Sequence, residues 1–115
     1  MIFSPDLCEL ILQGKKTVTR RPVRMRDPAS GVMDDCRYVE GRTYGIQPGR
    51  GKRAIGRIKI VDVEFWHISE IFDSKEEPRR EGFADAEAFV ERWIAIYGRW
   101  RPRRFVWRIE FELVA

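Results

Sequence analysis

Eight residues near the start of the chain carry most of its chemical potential: Gly14-Lys15-Lys16-Thr17-Val18-Thr19-Arg20-Arg21. A backbone-permissive glycine, two lysines, two threonine hydroxyls and two arginines in one short run suit a ligand that is anionic or rich in acceptors. Two familiar phosphate-binding loops are excluded. A Walker loop needs a glycine five residues before Gly14, where Glu9 stands, and a strand rather than a helix ahead of it. Gly49-Arg50-Gly51-Lys52-Arg53-Ala54 spaces its glycines like a dinucleotide fingerprint but opens a strand, not a helix. It is better suited to a basic turn that touches a phosphate through backbone N–H groups and Arg50 or Lys52. Metal chemistry has little to work with. His67 is the single histidine, and Cys8 and Cys36 lie far apart without paired-ligand spacing, so no metal and no cofactor is expected and both thiols are expected free.

The net charge of +4 hides an uneven distribution. Residues 15–26 hold Lys15, Lys16, Arg20, Arg21, Arg24 and Arg26 with no acid among them. Arg50, Lys52, Arg53, Arg57 and Lys59 form a second run, and Arg99, Arg101, Arg103 and Arg104 a third, while the acids concentrate between Asp62 and Glu91. Three basic runs exceed what solubility needs and point to an anionic partner, RNA or a modified nucleoside. Lys15, Arg20, Arg24, Arg26, Arg50 and Lys52 are the expected phosphate contacts.

The elements that must position these groups follow from pattern. Ser4-Pro5 opens a helix with Ser4 as cap, Leu7, Leu10 and Ile11 follow at helical spacing, and Gly14 ends it. From Lys16 to Val23 the residues Thr17, Val18, Thr19 and Val23 favour a strand, whose end Pro22 confines to an edge or a turn. Residues 24–43, with Pro28, Ser30-Gly31 and Gly41, predict a long surface loop. Thr43–Gln47 is a short strand. Ala54–Phe65 is a longer one whose alternation slips between Ile60 and Val61, the signature of a bulge. Ala84–Tyr97 predicts a helix with Ala86, Phe89, Val90, Trp93, Ile94 and Tyr97 on one apolar stripe and Gly98 as its stop. Phe105, Trp107, Ile109, Phe111 and Leu113 alternate with Arg108, Glu110 and Glu112 as a half-buried strand. The sum is one domain over residues 1–115, α+β and mainly β, a small barrel with two flanking helices. No apolar run approaches the ~20 residues that span a bilayer. The first residues show no secretory pattern, so a cytoplasmic protein without a membrane partner is expected.

The spacing Gly14-x-Lys16-x-x-Thr19-x-Arg21 resembles the signature of ASCH domains, small β-barrels similar to the PUA fold of RNA-modifying proteins. Tyr44, the Gly56-Arg57-Ile58 strand and the closing Val106-Trp107-Arg108-Ile109 strand extend the likeness over nearly the whole chain. Family members usually carry Glu where Thr19 stands. A threonine there is similar to bacterial ASCH proteins that hydrolyse N(4)-acetylcytidine with a Lys, a Thr and a distant Glu, and Glu81 occupies the corresponding place before the second helix. The resemblance implies Thr19 as nucleophile, Lys16 as base and Glu81 as proton donor, with Arg21 and Tyr44 contacting the substrate. Lys16 then needs a depressed pKa, from like charge and burial, and Glu81 a raised one, from an apolar surround such as Phe83. Geometry sets a condition. On an ideal strand Lys16 and Thr19 point to opposite faces, so Lys16 must lie in the helix-to-strand turn, which Gly14 permits, or the strand must bulge. The alternative reading is a non-catalytic RNA-binding module or an ASCH-type ribonuclease.

Overall fold

Packing places an open antiparallel sheet at the centre of the computed structural model, which describes residues 1–27 and 29–115. The first helix, α1 (Pro5–Leu12), leads into β1 (Val18–Pro22); β2 (Met25–Asp27) and β3 (Val32–Met33) form a separate hairpin; β4 (Thr43–Ile46) and β5 (Gly56–His67) follow. A 3-10 helix (Ile68–Phe72), α2 (Glu76–Arg80), α3 (Ala86–Tyr97) and β6 (Phe105–Val114) complete the order. Pro28 lies outside the described residues, within the segment read as a long loop. That segment holds an exposed hairpin, with no residue of β2 or β3 buried.

The four-stranded sheet runs β1-β6-β5-β4 and is open, so the expected barrel is corrected. β1 ends at Pro22, which has no N–H for a further strand. On the far edge the N-terminal segment joins β4 in parallel, through Phe3 N–H to Gln47 O at 3.0 Å and Gln47 N–H to Met1 O at 2.8 Å. Between that segment and β1 the link is a side chain, Arg21 Nη2 donating to Ile2 O at 2.8 Å. The expected bulge lies where the alternation slips, the β5–β6 register shifting between Ile60 and Asp62.

Among the described residues three α-helices are present rather than two. α2 escapes periodicity because it is a single turn with Pro78 inside it. Helix α3 starts at Ala86, with Asp85 accepting from Ala88 N–H, and Gly98 closes it at φ +87°. Ser4 occupies the cap position of α1, but its hydroxyl donates to Asp6 Oδ1 and accepts from Arg92 instead of capping the backbone.

Two apolar cores result. Phe3, Leu7, Ile11, Ile58, Ile60 and Phe111 pack α1 onto the sheet. Ile68, Ile71, Phe89, Trp93 and Val106 pack α3 and the 3-10 helix onto β6. Phe83 touches both. Because β6 is covered on both faces, Val106 and Arg108 are buried alongside Ile109 and Phe111, and the outward position expected for Arg108 is corrected.

Candidate functional site

The turn after α1 solves the geometric condition on Lys16. Gly14 takes φ +74°, and the N–H groups of Lys15 and Lys16 both donate to Leu10 O, so the chain reverses before β1 begins at Val18. Lys16 therefore lies in the turn and Thr19 in the strand. Helix α2 docks against the same turn through Thr17 N–H to Arg80 O at 2.8 Å. Gly82, at φ +97°, then swings the chain away so that Glu81 faces Lys16. A Cβ on Gly82 would stand 3.0 Å from Leu10 Cδ1 in a conformation L-residues rarely adopt.

Lys16 is only 2% exposed and all three of its ammonium donors are used. Nζ donates to Val18 O at 2.8 Å, to Glu81 O at 2.8 Å and to Glu81 Oε1 at 3.0 Å. Burial pushes the Lys16 pKa below its ordinary value against the opposing pull of Glu81. The other Glu81 oxygen accepts from Arg20 Nη1 at 2.8 Å. Both Glu81 oxygens thus accept from cations, beside the apolar surround expected from Phe83.

Behind this pair stands a second carboxylate. Arg20 and Arg108 are directly opposed across β1 and β6, a like-charge pairing that costs stability unless it is neutralised. Glu77 neutralises it. Its Oε1 accepts from Arg20 Nη2 at 2.6 Å and Arg108 Nε at 2.5 Å, and its Oε2 from Arg108 Nη2 at 3.0 Å. Burial alone would raise the Glu77 carboxyl, but the hydrogen bonds from Arg108 and Arg20 outweigh it and hold the group at about 2. Trp66 lies against both guanidinium groups, at 5.2 Å from Arg20 and 4.9 Å from Arg108.

Lys16, Thr19, Arg21 and Glu81 all line one cavity of about 100 Å³ where the two cores meet, walled by Phe3, Phe83, Phe89 and Trp93. A larger groove of about 630 Å³ adjoins it, carrying Arg24, Arg37, Arg104 and Trp107 and sharing Arg21 and Tyr97 with the cavity. Arg24 and Arg104 continue into a further groove with Arg26, whose guanidinium is paired with Asp34 at 2.8 Å.

Other expected positions fall elsewhere. Arg20 is buried, with its two terminal nitrogens engaged by Glu77 and Glu81, and so is no part of an exposed basic stripe. Tyr44 is absent from the cavity; its hydroxyl accepts from Val39 N–H and its ring packs edge-on against Tyr38 at 5.1 Å. Lys15, Arg50 and Lys52 are exposed but line neither the cavity nor its groove. Glu77, Arg108, Arg37, Arg104 and Trp93 were not singled out as site residues by sequence. The one available signal was the four-residue spacing of Glu77 and Glu81, which places both on one helical face.

The fold itself has solved counterparts. An ASCH domain from Lactobacillus crispatus matches with a TM-score of 0.68 at 18% identity, over 94% of this chain and 70% of that one. The chain has the ASCH-domain fold. A variant of an ASCH protein from Zymomonas mobilis matches at 0.61 and 17% identity, over 97% of this chain and 66% of that one. A protein of Enterococcus faecalis from a family of unknown function matches at 0.64 and 19%, over 95% and 70%. No protein-family model and no curated protein matches the chain. At these identities the likeness concerns the ASCH fold alone. Among the described residues, no helix is long and apolar enough to cross a membrane, and no group of three His, Cys, Asp or Glu could hold a metal ion. Cys8 and Cys36 are unbridged.

Proposed function

We propose that this chain is an ASCH-family hydrolase that removes the acyl group from the exocyclic amine of a modified nucleoside, N(4)-acetylcytidine or a relative, in the cytoplasm. The observation that carries the reading is the meeting of Lys16, Thr19 and Glu81 at one cavity, with Lys16 and Glu81 in direct contact. The Thr19 hydroxyl attacks the acyl carbon and gives its proton to the neutral form of Lys16, which burial makes accessible. Glu81, 3.0 Å from Nζ, orients the amine and shares the proton. The carbon–nitrogen bond breaks as that proton passes to the leaving nitrogen, which departs as a free amine. Water then attacks the threonyl ester, one of its protons returns through Lys16 to Thr19 Oγ1, and the acid is released. No metal or cofactor takes part.

Purified protein incubated with N(4)-acetylcytidine should release acetate and cytidine in equal amounts, and Thr19→Ala should abolish both. Absence of release, from the nucleoside and from an oligonucleotide containing it, would falsify the reading.

A second reading, an RNA-binding module, is favoured by one specific feature, the arginine-bearing groove that opens beside the cavity. It predicts oligonucleotide binding that weakens steeply with salt. Salt-independent or undetectable binding to single- and double-stranded RNA would refute it.

A further inference from the structure

Among the described residues, three buried side-chain donors have no hydrogen-bond partner: Arg20 Nε, Arg21 Nε and Trp93 Nε1. All three belong to residues that line the cavity of Lys16, Thr19 and Glu81. Buried polar atoms in folded proteins are paired with few exceptions, so three orphans around one small space require an explanation. The one carboxylate that lines the cavity is already engaged. Both Glu81 oxygens are taken by Lys16 and Arg20, and the Glu81 and Val18 carbonyls by Lys16. The charge balance has the same sign, since Lys16, Arg20 and Arg108 are buried with Glu77 and Glu81 as the buried counter-charges, and Glu64 meets Arg108 at 4.0 Å from the exposed side.

The cavity is therefore rich in donors, carries a single carboxylate that is already engaged, and is walled by aromatic rings. Its 100 Å³ corresponds to roughly three waters at about 30 Å³ each. That is the scale of one flat ring with a small substituent, not of a base together with its ribose, which must extend into the groove shared through Arg21 and Tyr97.

We infer that Trp93, with Arg20 and Arg21, reads the acceptor edge of the bound group, so that Trp93 is a specificity-determining residue and not only a core residue. The inference rests on the cavity being the substrate site proposed above. The ligand class it names is a planar heterocycle that turns carbonyl oxygens or ring nitrogens, and no N–H, toward these three donors. N(4)-acetylcytosine has the acetyl oxygen, N3 and O2 for this purpose. After hydrolysis the acetyl oxygen is gone and an amine stands in its place, which would set donor against donor and favour release of the product.

The test is a titration followed by proton–nitrogen NMR on the full chain carrying Thr19→Ala, with N(4)-acetylcytidine and then cytidine as probes. The Trp93 indole resonance is identified by its loss in Trp93→Phe. It should move downfield on addition of N(4)-acetylcytidine, while the Trp66 and Trp100 indoles stay in place. Trp93→Phe, which keeps an aromatic ring and removes only the donor and part of the indole, should weaken that affinity by roughly three- to tenfold. It should also narrow the preference over cytidine. An unmoved Trp93 indole overturns the inference, whether other resonances report binding or none does. Turnover is a separate outcome. Indole movement without acetate release in the wild type would refute hydrolysis alone, and hydrolysis with an unmoved indole would refute this inference alone.

Discussion

Replacing Glu77 with glutamine removes one negative charge from the centre of the molecule and leaves Arg20 facing Arg108 across the sheet with no counter-charge between them. The cost follows from the carboxyl itself. Its pKa is held at about 2 against an ordinary 4.5. At about 1.4 kcal/mol for each tenfold change, that difference amounts to roughly 3 kcal/mol of folding stability. The figure agrees with the ~3–5 kcal/mol lost when one partner of a buried ion pair is deleted. The sign is set by the depression. The stabilisation is fully present above about pH 4.5 and is lost as pH falls toward 2. Urea denaturation at pH 7 should show Glu77→Gln with its midpoint lowered by about 1.5 M, taking a slope of roughly 2 kcal/mol/M. Between pH 4.5 and 2 the wild type should lose stability faster than the variant. Asp6, held at about 2 by Arg92, titrates over the same range in both proteins and cancels in the comparison. A variant within about 0.5 kcal/mol of wild type at pH 7, or one that parallels it through the acid window, would refute the claim that Glu77 is the neutralising centre.

Gly82→Ala should lower stability by about 1–3 kcal/mol, because the φ of +97° and the close approach to Leu10 both oppose a Cβ; differential scanning calorimetry should place its Tm on the order of 5–15 °C below wild type. For hydrolysis, kcat/KM should rise with pH through the titration of Lys16, with a midpoint below the ordinary 10.5 because burial favours the neutral amine; a profile that falls as pH rises through that range would contradict Lys16 as the base. Arg24→Ala and Arg104→Ala should each weaken single-stranded RNA binding and flatten its log–log salt slope by about 0.7, whereas Lys52→Ala, outside the groove, should leave the slope unchanged, as fluorescence anisotropy across a salt series would show.

Local signals were enough for the long elements of this protein. Proline at the start of α1, the bulged alternation of β5, the apolar stripe of α3 with its closing glycine and the alternation of β6 each depend on residues close together in the chain. The cluster Gly14, Lys16, Thr19 and Arg21 was legible for the same reason, as a compact run whose spacing alone marks it. The environment of those residues was not. Lys16 and Arg20 look like neighbouring members of one exposed basic stripe, yet both are buried, because α2 sets Glu77 and Glu81 against them from about sixty residues away. A one-turn helix containing Pro78 gives no period to detect, so the partners that bury those charges were invisible. The open sheet was likewise a matter of long-range contact, depending on which edges found partners. Whether a cation in this chain binds phosphate, pairs inside the core or lines a catalytic cavity depends on what packs against it, and that is decided only when distant segments meet.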